Sequence, residues 1–156
     1  MGLEVVVEDR SGQADDVSWV AAAASRALEH LGYLQGELGV AFVGSDEMER
    51  LNRQYMGRAG TTDVLSFPLD AEADAGRRME PEAAGPVPRL LGDVIICPQV
   101  AAAQAEVLGA SLRQELCLLL VHGVLHIAGY DHEADAGEMD VRQAELVAEI
   151  CGAGGA

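Results

Sequence analysis

The chain reads as an α+β fold, a small mixed four-stranded sheet packed by about five helices. Four short runs are rich in β-branched and apolar residues. The segments around them carry apolar residues at helical spacing, and no internal repeat or linker divides the 156 residues. One domain over 1–156 is the expectation at this length, with a core large enough to need no staples.

Residues 3–7 open with a β-branched run that predicts a strand. Residues 15–31 place Val17, Val20, Ala24, Ala27, Leu28 and Leu31 along one helical stripe, and Gly32 stops it. Residues 37–43 read as a second strand. Asp46 with Glu49 three residues on resembles a capping box and predicts a helix over 46–55. Residues 61–68 contain Val64-Leu65-Ser66-Phe67, a third strand closed by Pro68.

Residues 70–89 mix Ala, Gly, Pro and both charge signs without periodicity, which predicts an exposed loop that is mobile in the absence of a partner. Residues 90–97 are a fourth strand. Pro98 suits the first position of a helix running to Leu108. Ser111 and Gln114 form a second capping-box pair, opening a helix that passes through His122 and His126 and ends at Gly129. A last helix is predicted over 135–150, stopping at Gly152. The order is β-α-β-α-β-β-α-α-α.

Hydrophobic residues make up 49% and charged residues 23%, an ordinary globular balance. The longest apolar run, 116–121, is far too short to span a bilayer. Met1-Gly2-Leu3-Glu4 lacks a basic region and a long apolar stretch, and Val6 breaks the myristoylation pattern. No membrane partner and a cytoplasmic location are therefore expected. Cys97, Cys117 and Cys151 are an odd, scattered set without a C-x-x-C pair, and they read as buried reduced thiols. The net charge of −16 opposes nonspecific attraction to nucleic acid. All ten basic residues are Arg, and several cluster: Arg50, Arg53 and Arg58, then Arg77, Arg78 and Arg89.

The chemistry concentrates in 121–132. His122 and His126 are four apart on a helix and share one face. Gly129 allows a sharp exit, so the chain can fold back and bring His132 beside them. Three neutral imidazoles leave a tetrahedral Zn2+ with one open position, the mark of a catalytic rather than a structural site. Only four histidines exist, and three lie in this segment; His30 reads as a plain cation near a helix C-terminus.

The spacing H-x-x-x-H-x-x-G-x-x-H is that of the metzincin proteases. In H-E-x-x-H enzymes the residue after the first His is the Glu general base. Here it is Gly123. Cleavage of RNA has a different requirement, because the substrate brings its own 2′-hydroxyl and the metal lowers the pKa of water toward about 7. The missing Glu tilts the reading from peptide toward phosphodiester chemistry.

His122-Gly123-Val124-Leu125-His126-Ile127-Ala128-Gly129-Tyr130-Asp131-His132 resembles the signature of the YbeY family, bacterial endoribonucleases and rRNA maturation factors. The resemblance extends to Leu51-Asn52-x-x-Tyr55, to Thr62-Asp63-Val64-Leu65-Ser66-Phe67-Pro68, and to Leu91-Gly92-Asp93-Val94-Ile95-Ile96-Cys97. It covers roughly residues 40–150 in order. It implies a zinc-dependent single-strand endoribonuclease, with one Zn2+ per chain on His122, His126 and His132. Its partners would be ribosomal RNA and the small ribosomal subunit, in rRNA maturation and ribosome quality control.

One departure bears on activity. The family usually carries Arg after the Tyr of the second motif, and this chain has Met56. Arg58 aligns with a position often held by Lys. Either Arg58 takes over a phosphate-facing catalytic role, or activity is reduced. Two other classes remain: a metallopeptidase using an acid such as Asp131, and a noncatalytic ribosome-associated maturation factor whose zinc holds the fold. Ser66 and Phe67 read as strand and core residues, Met56 as a loop or core side chain, and Asp93 as a turn acid or a polar group near the site.

Overall fold

Alternation along β1 (Leu3–Asp9) turns Leu3, Val5 and Val7 inward and leaves Glu4, Val6 and Glu8 exposed. A computed structural model of the protein describes residues 2–69, 89–131 and 133–152. β1 pairs in parallel with β2 (Gly36–Phe42), Leu3 opposite Gly36 and Asp9 opposite Phe42. β2 pairs in parallel with β4 (Leu90–Ile96). β3 (Val64–Pro68) runs antiparallel to β4, Val64 opposite Ile96. The order β1-β2-β4-β3 is the mixed four-stranded sheet the sequence predicts.

β4 lies between two neighbours, and Val94, Ile95 and Ile96 are buried on both of its faces, which explains the apolar run there, while Leu90 and Asp93 are exposed. Val94 and Ile96 join one core with Leu38, Val40 and Phe42, roofed by α1 (Val20–His30) and α4 (Leu112–Ile127). Ile95 and Cys97 face the other way, with Ala41, Val43, Leu65 and Met48 of α2 (Ser45–Met56). α3 (Pro98–Leu108) packs on α4. α5 (Glu138–Leu146) passes into a π-helical turn, Val147–Gly152. These form a third cluster against α4: Cys117, Val121, Leu125, Met139, Leu146 and Cys151. Each fully buried Leu or Ile in these clusters contributes about 1.5–3 kcal/mol. No helix among the described residues is long and apolar enough to cross a membrane.

Several boundaries depart from expectation. α1 starts at Val20, not near residue 15, because Asp15 has φ 61° and Asp16 holds a turn. The Asp16 carboxylate accepts the Ser18 N–H, and its carbonyl accepts the Trp19 indole N–H. Val17 still packs on the core, so apolar spacing outlasts the helix. The Asp46/Glu49 capping box does not form: Gly44 is the N-cap and Asp46 already lies inside α2. The Ser111/Gln114 box does form, with bonds of 3.0 and 2.8 Å. α5 begins at Glu138 because Asp135 caps it from outside, accepting the Gly137 and Met139 N–H groups. Of the predicted loop over 70–89, residues 70–88, with Arg77 and Arg78, lie outside the described residues.

The expectation of three reduced thiols is corrected. Cys117 of α4 and Cys151 of the π-helical turn form a disulfide, S–S 2.01 Å and Cα–Cα 5.8 Å. Only packing of the C-terminal segment on α4 brings together residues 34 apart in sequence. Cys97 is a buried free thiol, as expected.

Candidate functional site

α4 is buried on nearly every side: the sheet, α1, α3 and α5 all contact it. A helix apolar all round belongs in such a position. His122 and His126 interrupt that apolar surface one turn apart, and both are half-buried. Their rings meet edge to face with centroids 4.7 Å apart, and their Nε2 atoms are separated by 3.2 Å. Both line a cleft of about 460 Å³ between α4, β3 and the end of α2.

The two imidazoles fit a zinc ion. Nitrogens each at 2.0–2.1 Å from a tetrahedral centre stand about 3.3 Å apart, close to the observed separation. His122 Nδ1 contacts Gln143 Oε1 at 2.8 Å. An amide oxygen only accepts, so this contact is a hydrogen bond in the tautomer that carries the ring proton on Nδ1 and leaves Nε2 unprotonated.

The third predicted ligand, His132, lies outside the described residues, and no group of three metal-binding side chains occurs among those described. The chain leaves α4 sharply, as the sequence predicts. Gly129 has φ 100°, and the Tyr130 N–H returns to the Leu125 carbonyl. Asp131 then accepts the N–H groups of Glu133, Ala134 and Asp135 in a tight turn.

Met56, Arg58 and Thr62 line the same cleft. Gly57, in the left-handed region, ends α2 and starts the Arg58 loop. Two hydrogen bonds join this loop to Asn52. Asn52, only 4% exposed, donates from Nδ2 to the Gly60 carbonyl at 3.0 Å, while its own carbonyl accepts the Arg58 N–H. Met56 is 46% exposed and so is not a core side chain. Phe67 packs on the small core and meets Tyr55 edge-on at 5.4 Å, as a core aromatic should. Ser66 lines the cleft and donates to the Gly123 carbonyl at 3.2 Å. Asp93 does not join the site; it sits in a separate groove with Glu37 and Gly39. His30 ends α1, as expected, and its carbonyl accepts Arg142.

Gly123 has a steric reason. A Cβ there would lie 2.6 Å from Cγ1 of Val94 and 3.2 Å from Ser66 Oγ. Val94 is fully buried and β-branched, so it cannot swing aside. Helix α4 therefore rests on β4 through this glycine, and a Glu at this position has no room. Gly123→Ala adds about 1–3 kcal/mol of overpacking against about 1 kcal/mol gained by removing glycine from a helix. The expected result is a lower melting temperature; a higher one in a thermal melt would mean the contact is slack.

Two residues escaped the sequence reading. Gln143 is one; its only signal is a polar side chain between Met139 and Leu146 on the buried face of α5. Glu115, two turns before His122, is the other. It is 5% exposed, and burial, then the Asp63 charge, pushes its carboxyl above the ordinary range. Asp63 is held by the Val64 N–H at 2.8 Å and Gln104 Nε2 at 3.3 Å, so this pair belongs to the seam between α3, α4 and β3.

The chain is similar to known proteins along most of its length. The family model described as Endoribonuclease YbeY matches residues 7–151. The Endoribonuclease YbeY of Salinispora tropica is 44% identical over 149 residues, covering 94% of this chain and 95% of the relative. That of Saccharopolyspora erythraea is 39% identical over 140 residues, 89% of this chain and 75% of the relative. The solution structure of TM1509 from Thermotoga maritima superposes with a TM-score of 0.63 at 27% identity, covering 95% of this chain and 89% of that one. With the match running from β1 to the end of the π-helical turn, this chain belongs to the YbeY family.

Proposed function

We propose that this chain is a zinc-dependent endoribonuclease that cleaves single-stranded RNA, acting on ribosomal RNA in maturation and quality control of the small ribosomal subunit in the cytoplasm. The observation that carries the reading is the pair of converging imidazoles that line one cleft with Arg58, in a chain of this family. His122, His126 and His132 would hold the metal, which supplies Lewis acidity toward oxygen. Arg58 would meet phosphate charge, a local attraction that the overall charge of −16 does not provide. Arg77, Arg78 and Arg89 would extend that attraction along the strand. The substrate's 2′-hydroxyl would serve as nucleophile and the metal would supply the solvent-derived base that takes its proton, so a Glu in the slot Val94 closes would not be required.

Net charge and Met56 favour a second reading, a ribosome-associated factor that binds without cleaving. Purified protein incubated with single-stranded RNA separates the two. Cleavage that a chelator abolishes and zinc restores is the expected result. Binding to small subunits with no RNA turnover would establish the second reading, and hydrolysis of a peptide substrate would revive the peptidase.

A further inference from the structure

We propose that Gln143 is a positioning residue for the metal site: its amide oxygen fixes the ring orientation and tautomer of His122 and so sets the affinity for zinc. The proposal rests on the zinc reading above. The contact is 2.8 Å from Oε1 to Nδ1 and spans 21 residues of sequence. A ligand imidazole bound through one nitrogen needs its other N–H held by an acceptor. Loss of that acceptor typically weakens metal binding by about 10- to 100-fold.

The surroundings hold Gln143 in place. Met139, Gln143 and Leu146 follow i, i+4, i+7 spacing, so all three lie on one face of α5. Met139 and Leu146 are each 1% exposed and pack against Val121 and Leu125, the neighbours of His122 and His126 on α4. The Cys117–Cys151 disulfide ties the same two segments together beyond the helix end. Arg142 anchors α5 from the other side, donating to the His30 carbonyl at 2.7 Å. An amide with two buried apolar residues flanking it on a clamped helix is rigid enough to fix a tautomer. Its oxygen is used on the one imidazole nitrogen that points away from His126.

Two measurements on the full chain test this. In metal-free protein, at a pH where the imidazoles are neutral, ring nitrogen NMR shifts should show His122 protonated at Nδ1. Gln143→Ala should mix the tautomers, and Gln143→Glu, which keeps an acceptor oxygen, should restore the single form. Zinc titration should then give a dissociation constant about 10- to 100-fold weaker for Gln143→Ala and close to the wild type for Gln143→Glu. Loss of one partly exposed hydrogen bond should move the metal-free melting temperature only slightly. Equal zinc affinity in wild type and Gln143→Ala overturns the proposal while leaving the zinc reading intact. A large melting shift in both variants without tautomer change also overturns it, reducing Gln143 to a packing residue. A wild type that takes up no zinc overturns the metal reading and this proposal together.

Discussion

Replacing His126 by Ala should take the protein from about one zinc per chain to nearly none and should remove RNA cleavage. His126 Nε2 is 3.2 Å from His122 Nε2, the separation of two neighbouring ligand positions on one tetrahedral ion, so each imidazole would fill its own position and neither could compensate for the other's removal. Alanine also leaves the cleft wall open to water, because His126 sits half-buried at its edge. Loss of Lewis acidity removes several kcal/mol of charge stabilisation in the transition state, about a 10³-fold fall in rate. Metal content by elemental analysis and a single-stranded RNA assay check the two halves separately. Full metal retention in a triple variant of His122, His126 and His132 to Ala would show that the ion binds elsewhere.

Arg58→Ala should cut RNA cleavage by about 10- to 100-fold, below the effect of losing a fully enclosed donor because the guanidinium is exposed. Negative charge develops on the phosphoryl oxygens during cleavage, and on the proposed reading the planar Arg58 cation in this cleft would stabilise it. Asn52 holds the loop through the Arg58 N–H and the Gly60 carbonyl, neither of which the substitution touches. Zinc content and melting temperature should therefore stay near wild type. Met56→Arg should raise cleavage, since Met56 lines the same cleft. Unchanged turnover in Arg58→Ala, in an assay with measurable wild-type cleavage, would place Arg58 outside the reaction.

The strands and α4 were legible because each obeys a local rule. β4 is an apolar run long enough for a strand and too short for a helix, and the Ser111/Gln114 box marks the start of α4 by chemistry available within one turn. The i, i+4 spacing likewise placed His122 and His126 together without any tertiary information. Errors fell where tertiary contacts override local pattern. Val17 is apolar at helical spacing because it packs on the core, yet it lies before the helix, its carbonyl closing the turn through Ser18 and Trp19. Glu47 of α2 pairs with Arg10 at 2.6 Å, a contact from another element that no capping rule reveals. The disulfide and the Gln143 contact depend on α5 docking against α4, across 34 and 21 residues respectively. Asn52 was visible as part of a motif, but its hold on the Arg58 loop was not. The sequence showed that Gly123 stands where H-E-x-x-H enzymes carry Glu, and only the sheet beneath shows why a side chain is crowded there.

The tight seat of Gly123 also bears on how such a protein can change over generations. On paper, one substitution separates its histidine spacing from that of a Glu-bearing peptidase. In this fold that step is costly, because even the first carbon of the new side chain presses on Val94. Intermediates carrying only the new side chain, or only a smaller residue in place of Val94, would be overpacked or left with a cavity. The two chemistries are neighbours in sequence space, but in this fold the step between them carries an overpacking cost at the junction of helix and sheet.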